Sequence, residues 1–204
     1  GMIVAPTYQM LQDVSVKAFI EILERLNRPH NHIRSRQLIE LEGGTVYCRS
    51  AEHPERLRGP NLSWAWIDEA ALCRAVTWLV MIGRLRLNDA RALITTTPAG
   101  YNWVYEHFVE KQNPAYGMIQ ASSRENPYLD KDFVAELTAS YSAEYADQEI
   151  EGKFVTFEGL VYTEFSHDTE NGNIQEIEIG DDWRKVRGID FGYTNPFVCL
   201  WGTV

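Results

Sequence analysis

The first quarter of the chain alternates a short apolar segment with a longer amphipathic one. The apolar run MIVA at residues 2–5 is closed by Pro6, which predicts a buried strand with a loop at its carboxyl end. From Gln9 to Leu26 the apolar residues recur at helical spacing, so a helix is predicted. The residues predicted to share its buried face are Leu11, Val14, Ala18, Ile22 and Leu26.

Strand and helix patterns then follow one another to about residue 122. A hairpin is predicted where polar and apolar residues alternate around the turn Glu42–Gly44. The repeated order of strand and helix predicts an α/β protein with a mainly parallel sheet flanked by helices. The predicted elements are a hairpin at 37–50, strands at 62–68, 91–100 and 115–122, and helices at 70–84 and 102–111.

The pattern changes in the last third of the chain. Two short helices are predicted at 130–139 and 142–151, the second capped by Ser142 and ended by Gly152. The following segment alternates at first and then becomes polar, acidic and rich in turn residues. The predicted divisions are a first domain, with a helical subdomain at its C-terminal end, at 2–152, a linker with a β excursion at 153–182, and the start of a second domain at 183–204.

Charge is distributed unevenly along the 204 residues. The net charge is −10, which argues against a protein that simply coats nucleic acid. Residues 1–100 carry a net charge of +2 and residues 101–204 carry −12. The one basic cluster is Arg25–Arg36, which fits either a solvated helix end and loop or a contact with phosphate. A DNA-binding surface is therefore expected in the first half.

Cysteine spacing and apolar run length exclude two further classes. Cys48, Cys73 and Cys199 are odd in number and far apart, so they predict reduced thiols in a cytoplasmic setting rather than a disulfide framework or a metal site. No apolar run approaches the roughly 20 residues that a membrane span needs. No membrane partner is expected.

Two adjacent acids at the end of a predicted strand are the strongest candidates for chemistry. Asp68 and Glu69 follow the apolar run WAWI, the Walker B pattern of nucleotide-hydrolysing motors. In that pattern Asp68 holds Mg²⁺, through a water, and Glu69 orients or deprotonates the attacking water. The alternative is that the two acids have only a structural role at a helix N-terminus, where acids are common.

Hydroxyl and guanidinium groups flank this acid pair in the sequence. Thr95, Thr96 and Thr97 end the next predicted strand, where they can sense a terminal phosphate, although threonine also simply suits strands. Arg56 or Arg58, on the loop before the acid strand, can act as an arginine finger or be an ordinary surface residue.

A phosphate-binding loop is missing from the sequence. No G-x-x-x-x-G-K-[ST] motif occurs, and Gly43–Gly44 belongs to the predicted hairpin. We therefore expect that the strand, loop and helix which would precede residue 2 have been removed, and that the segment is not fully active by itself.

Asp190 is a second candidate acid. It lies on the apolar stretch VRGID between two glycines, which resembles the first strand of an RNase H-like nuclease. There one acid of a carboxylate cluster binds two divalent metal ions. A structural aspartate near a turn is the alternative interpretation.

Taken in order, the strings IVAPTY, LRGPNLSWAWIDEA, LITTTPAG, SSRENPYL, EGLVYTEF and GIDFGYTNP resemble the large subunit of tailed-phage terminases. The resemblance covers roughly residues 3–200. That family joins an N-terminal packaging ATPase to a C-terminal RNase H-like nuclease. It works as a homo-oligomeric ring on the portal protein, with a small terminase subunit and double-stranded DNA, in the host cytoplasm. The resemblance implies ATP and Mg²⁺ for the ATPase, and a pair of Mg²⁺ or Mn²⁺ ions for the nuclease.

The resemblance also implies roles for particular residues. Asp68 becomes the Mg²⁺-linked acid, Glu69 the catalytic carboxylate and Arg58 a candidate finger. Asp190 becomes the first metal ligand of the nuclease. The residues implied in nucleotide binding and in coupling hydrolysis to movement are Thr95, Thr96, Thr97, Arg124 and Asn126.

Two other functions remain open at this point. A superfamily 2 helicase also places Asp-Glu after an apolar strand, but Ala70–Ala71 differs from the residues that typically follow in helicases. An inert prophage remnant without catalysis fits the absence of the phosphate-binding loop.

Overall fold

The computed structural model describes residues 1–87, 89–111, 113–155, 179–190 and 198–203, with the backbone alone for Lys131 and Asp190. The chain forms two compact units, Gly1–Phe157 and Glu158–Val204. The division falls within the predicted linker 153–182, most of which lies outside the described residues.

A six-stranded sheet forms the centre of the first unit. Its spatial order is β2-β3-β4-β1-β5-β6. The four strands β4, β1, β5 and β6 are parallel, and β3 and β2 extend the sheet in antiparallel fashion. The mainly parallel α/β sheet is thus confirmed, as is the hairpin. The strands are β1 Met2–Ala5, β2 His30–Ile33, β3 Leu38–Leu41, β4 Gly44–Ser50, β5 Trp64–Ile67 and β6 Arg91–Ile94.

Helical segments lie between most of these strands and follow the last of them. Polar side chains cap the starts of several: Thr7, Asn102, Asp130 and Ser142 each accept a hydrogen bond from a backbone N–H of the first turn. Within the described residues, no helix combines the length and apolar character that a membrane crossing requires. The α-helices are α1 Tyr8–Met10, α2 Lys17–Arg25, α3 Ala75–Ile82, α4 Trp103–Tyr105, α5 Lys131–Ser140 and α6 Ala143–Glu149. The π-helical segments are Leu11–Val16 and Glu106–Glu110. The 3₁₀ turns are Arg34–Arg36, Pro54–Leu57, Ala70–Leu72 and Ser123–Glu125.

The sheet is covered on both faces, so its central strand is apolar throughout. All four residues of β1 are at most 1% exposed. Met2 and Val4 belong to one core cluster, which includes Trp78 of α3. Ile3 belongs to a second cluster, with Leu11 and other residues of the first helical segment. Because β1 packs into a cluster on each face, residues 2–5 form an unbroken apolar run.

The predicted inner face of the first helix is wrong in part. Leu11 is buried, but Val14, Ile22 and Leu26 are 57%, 48% and 63% exposed. The π segment Leu11–Val16 adds one residue to a helical turn, which rotates everything after it relative to a regular helix. The predicted face assumed a regular helix without such an insertion. The residues that face the sheet are Leu11, Ser15, Val16, Phe19, Ile20 and Leu23.

Two other local predictions differ from the structure. Part of the basic cluster, His30–Ile33, is the edge strand β2 rather than a loop, because it pairs with β3. Residues 115–122 form no strand, and Ile119 there is 96% exposed. The Tyr116 ring instead stacks on Phe108, and the Gln120 side chain donates to the Glu151 carbonyl. Side-chain anchoring of this kind holds an extended segment without a β ladder.

The second unit contains two described strands, β7 Lys185–Asp190 and β8 Val198–Thr203. They pair antiparallel, with Ile189 opposite Cys199. Both predicted strands are present, and the predicted turn between them lies outside the described residues. Two strands do not define an RNase H-like domain, which therefore stays a prediction.

Candidate functional site

The acid pair and the threonines lie at the carboxyl ends of adjacent parallel strands. Ile67 of β5 is in register with Ile94 of β6, so Asp68 and Thr95 follow at the same edge of the sheet. Backbone hydrogen bonds fix this meeting point: the Thr95 N–H donates to the Ile67 carbonyl at 3.0 Å, and the Ala70 N–H donates to the Thr95 carbonyl at 3.2 Å. In parallel α/β sheets this edge is where ligands bind.

Both carboxylate oxygens of Asp68 accept a hydrogen bond from a hydroxyl. The Thr95 hydroxyl donates to Oδ1 at 2.7 Å, and the Ser15 hydroxyl donates to Oδ2 at 2.7 Å. The Glu69 N–H also donates to Oδ1, at 3.2 Å. Behind Thr95, the Trp66 indole N–H donates to its hydroxyl at 2.7 Å. The carboxylate is therefore held from two sides in one orientation.

Thr96 and Thr97 connect the same edge to the acid strand. The Thr96 hydroxyl accepts from the Ala71 N–H at 3.0 Å and donates to the Thr97 carbonyl at 2.8 Å. The Thr97 N–H donates to Glu69 Oε2 at 3.4 Å. The Thr97 hydroxyl is the one of the three that has no hydrogen bond to a described residue.

Glu69 has an unusual backbone and an unusual environment. Its φ of 46° and ψ of 49° lie in the left-handed region, which costs a non-glycine residue roughly 1–2 kcal/mol. Burial raises the pKa of the Glu69 carboxyl, and the negative charges of Asp68 and Glu149 raise it further, against the opposing Thr97 N–H. Strain and a raised carboxyl pKa cluster at functional sites, so this combination supports a chemical role.

The donor set around Asp68 fits a magnesium ion. Mg²⁺ prefers oxygen ligands, keeps several waters and commonly uses one or two carboxylates together with substrate phosphates. A carboxylate has about four lone-pair positions, and three of those on Asp68 are used. One position is left for a metal-bound water. Among the described residues no group of three or more acids, histidines and cysteines is arranged to hold a metal ion.

Arg58 lies beside the acid strand in sequence but not in the hydrogen-bond network. It follows the 3₁₀ turn Pro54–Leu57 and is exposed. Arg56, within that turn, is exposed as well. No described carboxylate forms an ion pair with either, so both guanidinium groups are available to bind an anion.

Arg124 and Asn126 lie outside this network and have local structural roles. Arg124 Nε donates to Glu151 Oε1 at 2.7 Å, and Arg124 Nη2 donates to the Thr138 hydroxyl at 3.0 Å. Arg124 thus ties α5 to the residues that follow α6. Asn126 Oδ1 accepts from the Tyr128 N–H at 3.0 Å. A cavity of about 320 Å³ beside them is lined by Ser123, Arg124, Asn126, Pro127, Leu129 and Val134.

Asp190 ends strand β7, where its backbone is opposite Val198. Its side chain is not among the described ones. Its assignment as a nuclease metal ligand therefore remains a proposal that rests on the sequence resemblance.

Sequence reasoning missed Ser15 and Trp66, which complete the surroundings of Asp68. Ser15 is a polar residue four positions after the buried Leu11, a spacing that places it on the inner side of a helix. Trp66 lies within the apolar strand and its indole N–H needs a partner. The spacing of Ser15 and the place of Trp66 in the strand are visible in the sequence. Neither shows that Ser15 bonds to Asp68 or that Trp66 bonds to Thr95.

Known proteins similar to this chain are large terminase subunits. The family model described as terminase large subunit, T4likevirus-type, N-terminal, matches residues 2–168. The large terminase subunit of Escherichia phage T5 is 27% identical over 173 residues, which cover 79% of this chain and 40% of that protein. The chain thus spans about two fifths of that relative's length.

Solved structures share the fold. The large terminase of a thermophilic bacteriophage, in complex with ADP, matches 100% of this chain and 51% of its own with a TM-score of 0.69 and 18% identity. The large terminase ATPase domain of Thermus phage P74-26 matches 76% of each chain with a TM-score of 0.62 and 23% identity. Neither the helicase interpretation nor that of an inert remnant is favoured by these matches. With the family model matching most of its length, the chain belongs to the N-terminal family of phage terminase large subunits.

Proposed function

We propose that this segment supplies the hydrolytic carboxylates of the ATPase in a DNA-packaging motor. The observation that carries the proposal is the pair Asp68–Glu69 at the end of β5, bonded to the threonines that end β6. The large terminase of the thermophilic bacteriophage, which shares the fold, is described in complex with ADP. That relationship supports a nucleotide at the same edge of the sheet.

Asp68 and Glu69 would divide the work. Asp68 would hold the hydrated Mg²⁺ of the nucleotide through its remaining lone pair. The ion would neutralise charge that develops on the phosphate oxygens. Glu69 would orient the attacking water and accept its proton. The raised pKa of the Glu69 carboxyl favours this role, because a general base works best when its pKa approaches the working pH.

The hydrogen bonds around Glu69 give hydrolysis a route to other elements. Thr97 contacts Glu69 through its N–H, and Thr96 contacts Ala71 through its hydroxyl. The Ala71 carbonyl in turn accepts from the side chain of Asn102, which caps α4. We propose that loss of the terminal phosphate shifts the threonine loop and, through it, the start of α4. Arg124 and Asn126 lie outside this network; we propose from the family resemblance that they couple hydrolysis to movement, Arg124 through its bonds to Thr138 of α5 and to Glu151 after α6.

Arg58 would complete the site as an arginine finger, either in its own subunit or in a neighbouring one. An exposed guanidinium without an ion pair to a described acid keeps its five N–H donors available for phosphate oxygens. Function in a homo-oligomeric ring is the natural setting for a finger acting on a neighbour.

The remaining partners are proposed from the family. They are double-stranded DNA, the portal protein, the small terminase subunit and the other subunits of a ring, in the host cytoplasm. Within this segment, the basic cluster Arg25–Arg36 is the best candidate for contact with the DNA backbone. Asp190 would be the first ligand of a Mg²⁺ or Mn²⁺ pair in the nuclease.

Replacement of the proposed base tests the ATPase proposal. The substitution Glu69→Gln, made in a large-subunit polypeptide that carries this segment and a phosphate-binding loop, is expected to lower ATP turnover by about 10²-fold or more. Nucleotide affinity should be retained, because the amide removes the base and no phosphate contact. Turnover would be followed by phosphate release and affinity by calorimetry.

A matched control separates chemistry from general loss of charge. Glu55→Gln changes an exposed acid on the 3₁₀ turn before the acid strand and should leave turnover unchanged. Full turnover in Glu69→Gln would place the catalytic base elsewhere and remove the proposed role.

A further inference from the structure

Ser15 occupies a position that a helix rarely gives to a serine. Its side chain is 0% exposed, and its hydroxyl donates to Asp68 Oδ2 at 2.7 Å across 53 positions of sequence. A serine inside a helix usually bonds to the carbonyl four residues earlier or turns to solvent. Ser140 of α5 does the former, since its hydroxyl donates to the Glu136 carbonyl at 2.9 Å. Ser15 instead directs its proton at the candidate metal-binding acid.

The local helix geometry places this hydroxyl. Ser15 lies inside the π segment Leu11–Val16, whose extra residue lets Leu11, Ser15 and Val16 all face the sheet. A π segment is rarer than regular helix and occurs frequently at functional sites. In this chain the irregular turn lies directly against the carboxylate, so geometry and contact agree.

We propose that Ser15 is a positioning residue that holds the Asp68 carboxylate in the orientation required to bind a hydrated divalent cation. Thr95 holds Oδ1, and Ser15 holds Oδ2. Because both oxygens of the Asp68 carboxylate are held, its remaining lone pair points in one direction. The carboxylate therefore loses little rotational freedom when the metal ion binds. Groups that hydrogen-bond to a metal ligand typically contribute roughly 10–100-fold to metal affinity.

The proposal rests on the proposed role of Asp68. The first part of its test is a measurement by NMR on the metal-free chain. Trp66 provides the signal, because its indole N–H donates to Thr95, which donates to Asp68. In Ser15→Ala the carboxylate can rotate away from Thr95, so the Trp66 indole proton resonance should move upfield and broaden. The chain has six tryptophans, and Trp66→Phe identifies the resonance.

The second arm measures the cation itself. Mn²⁺ added to the 204-residue chain should broaden the Trp66 indole resonance, with an apparent Kd about tenfold weaker in Ser15→Ala than in the wild type. Ser140→Ala is the matched control, because it also removes a helical serine hydroxyl, and it should leave both readouts unchanged. Circular dichroism verifies that each variant is folded. Both variants are expected to fold, because alanine is the best helix former.

The outcomes are distinct. An unchanged Trp66 resonance in Ser15→Ala, or an unchanged Mn²⁺ affinity, would overturn the positioning role. In a third outcome, the Trp66 resonance shifts in Ser15→Ala, but Mn²⁺ does not broaden that resonance even in the wild type. This outcome would overturn the role of Ser15 toward a cation and would also remove Asp68 from the proposed metal site. Loss of ATP turnover in Glu69→Gln is independent of both arms, so the two proposals can fail separately.

Discussion

The centre of the sheet and its β6 side are packed very differently, although the candidate site takes residues from both. Each residue of β1 is at most 1% exposed, whereas Leu93 of β6 is 58% exposed and Ile119 nearby is 96% exposed. A groove of about 940 Å³ lies between β6 and residues 115–121. Asp68 follows a strand paired with β1, and the threonines follow β6. Asp68, the proposed metal-binding acid, is thus anchored on the more deeply buried side of the sheet, and the proposed coupling loop lies on the more exposed side.

Six hydrogen bonds between described residues join the two sides at the site. Three of them pair backbone or side-chain groups of the acid strand with Thr95 itself: Thr95 N–H to the Ile67 carbonyl, Ala70 N–H to the Thr95 carbonyl, and Trp66 Nε1–H to the Thr95 hydroxyl. The others are the bonds from the Thr95 hydroxyl to Asp68, from the Thr97 N–H to Glu69, and from the Ala71 N–H to the Thr96 hydroxyl. Local stability follows the density of buried contacts, so the more exposed side is expected to open at lower free energy than the centre.

The largest effect is expected for a truncation at the centre. Ile3→Ala removes a fully buried side chain of β1 and leaves a cavity, which should lower the free energy of unfolding by roughly 2–5 kcal/mol. Urea unfolding followed by circular dichroism measures the loss. A cost below about 1 kcal/mol would mean that the centre can repack and is not the more stable side.

A smaller effect is expected outside the sheet, where exposed polar contacts join α5 to the residues that follow α6. Arg124→Ala removes the bonds to Glu151 and Thr138, so amide hydrogen exchange in α5 and α6 should accelerate by less than about tenfold. Lys153→Ala, which removes the exposed pair with Asp147, is the matched control and should affect the end of α6 only. If α5 exchanged as slowly in Arg124→Ala as in the wild type, Arg124 would not tie these helices together.

The smallest effect is expected at the groove. Ile119→Ser replaces an almost fully exposed apolar side chain and should change the free energy of unfolding by less than about 0.5 kcal/mol. The same urea titration used for Ile3→Ala measures it. A loss above about 1 kcal/mol would mean that Ile119 is covered in solution and would weaken the contrast between the two sides.

The parallel sheet and the position of the acid pair were predictable because both depend on local pattern. A short apolar run closed by a proline, such as MIVA before Pro6, favours a strand covered on both faces. Acids that follow a parallel strand lie at the edge of the sheet where ligands bind. The meeting of Asp68 with Thr95 follows from strand order alone. The cap at Ser142 and the left-handed Gly152 were likewise local features.

What could not be predicted depends on long-range contacts or on irregular turns. The inner face of the first helix was wrong after Leu11, since periodicity cannot reveal a one-residue π insertion. The strand at 115–122 was wrong because alternation cannot tell pairing with a sheet from anchoring by the Tyr116 ring. Ser15 was missed because its partner is 53 residues away. The roles of Arg58 and Asp190 remain predictions.

The π segment in the first helix has a consequence for how relatives are aligned. A π turn is what one added residue leaves in an otherwise regular helix. Relatives whose first helix is regular should therefore be one residue shorter between positions 11 and 16. In those relatives, the hydroxyl that faces the aspartate at the strand end would be at a different position of the sequence alignment from Ser15. A gap placed in the alignment would then make a shared contact look absent.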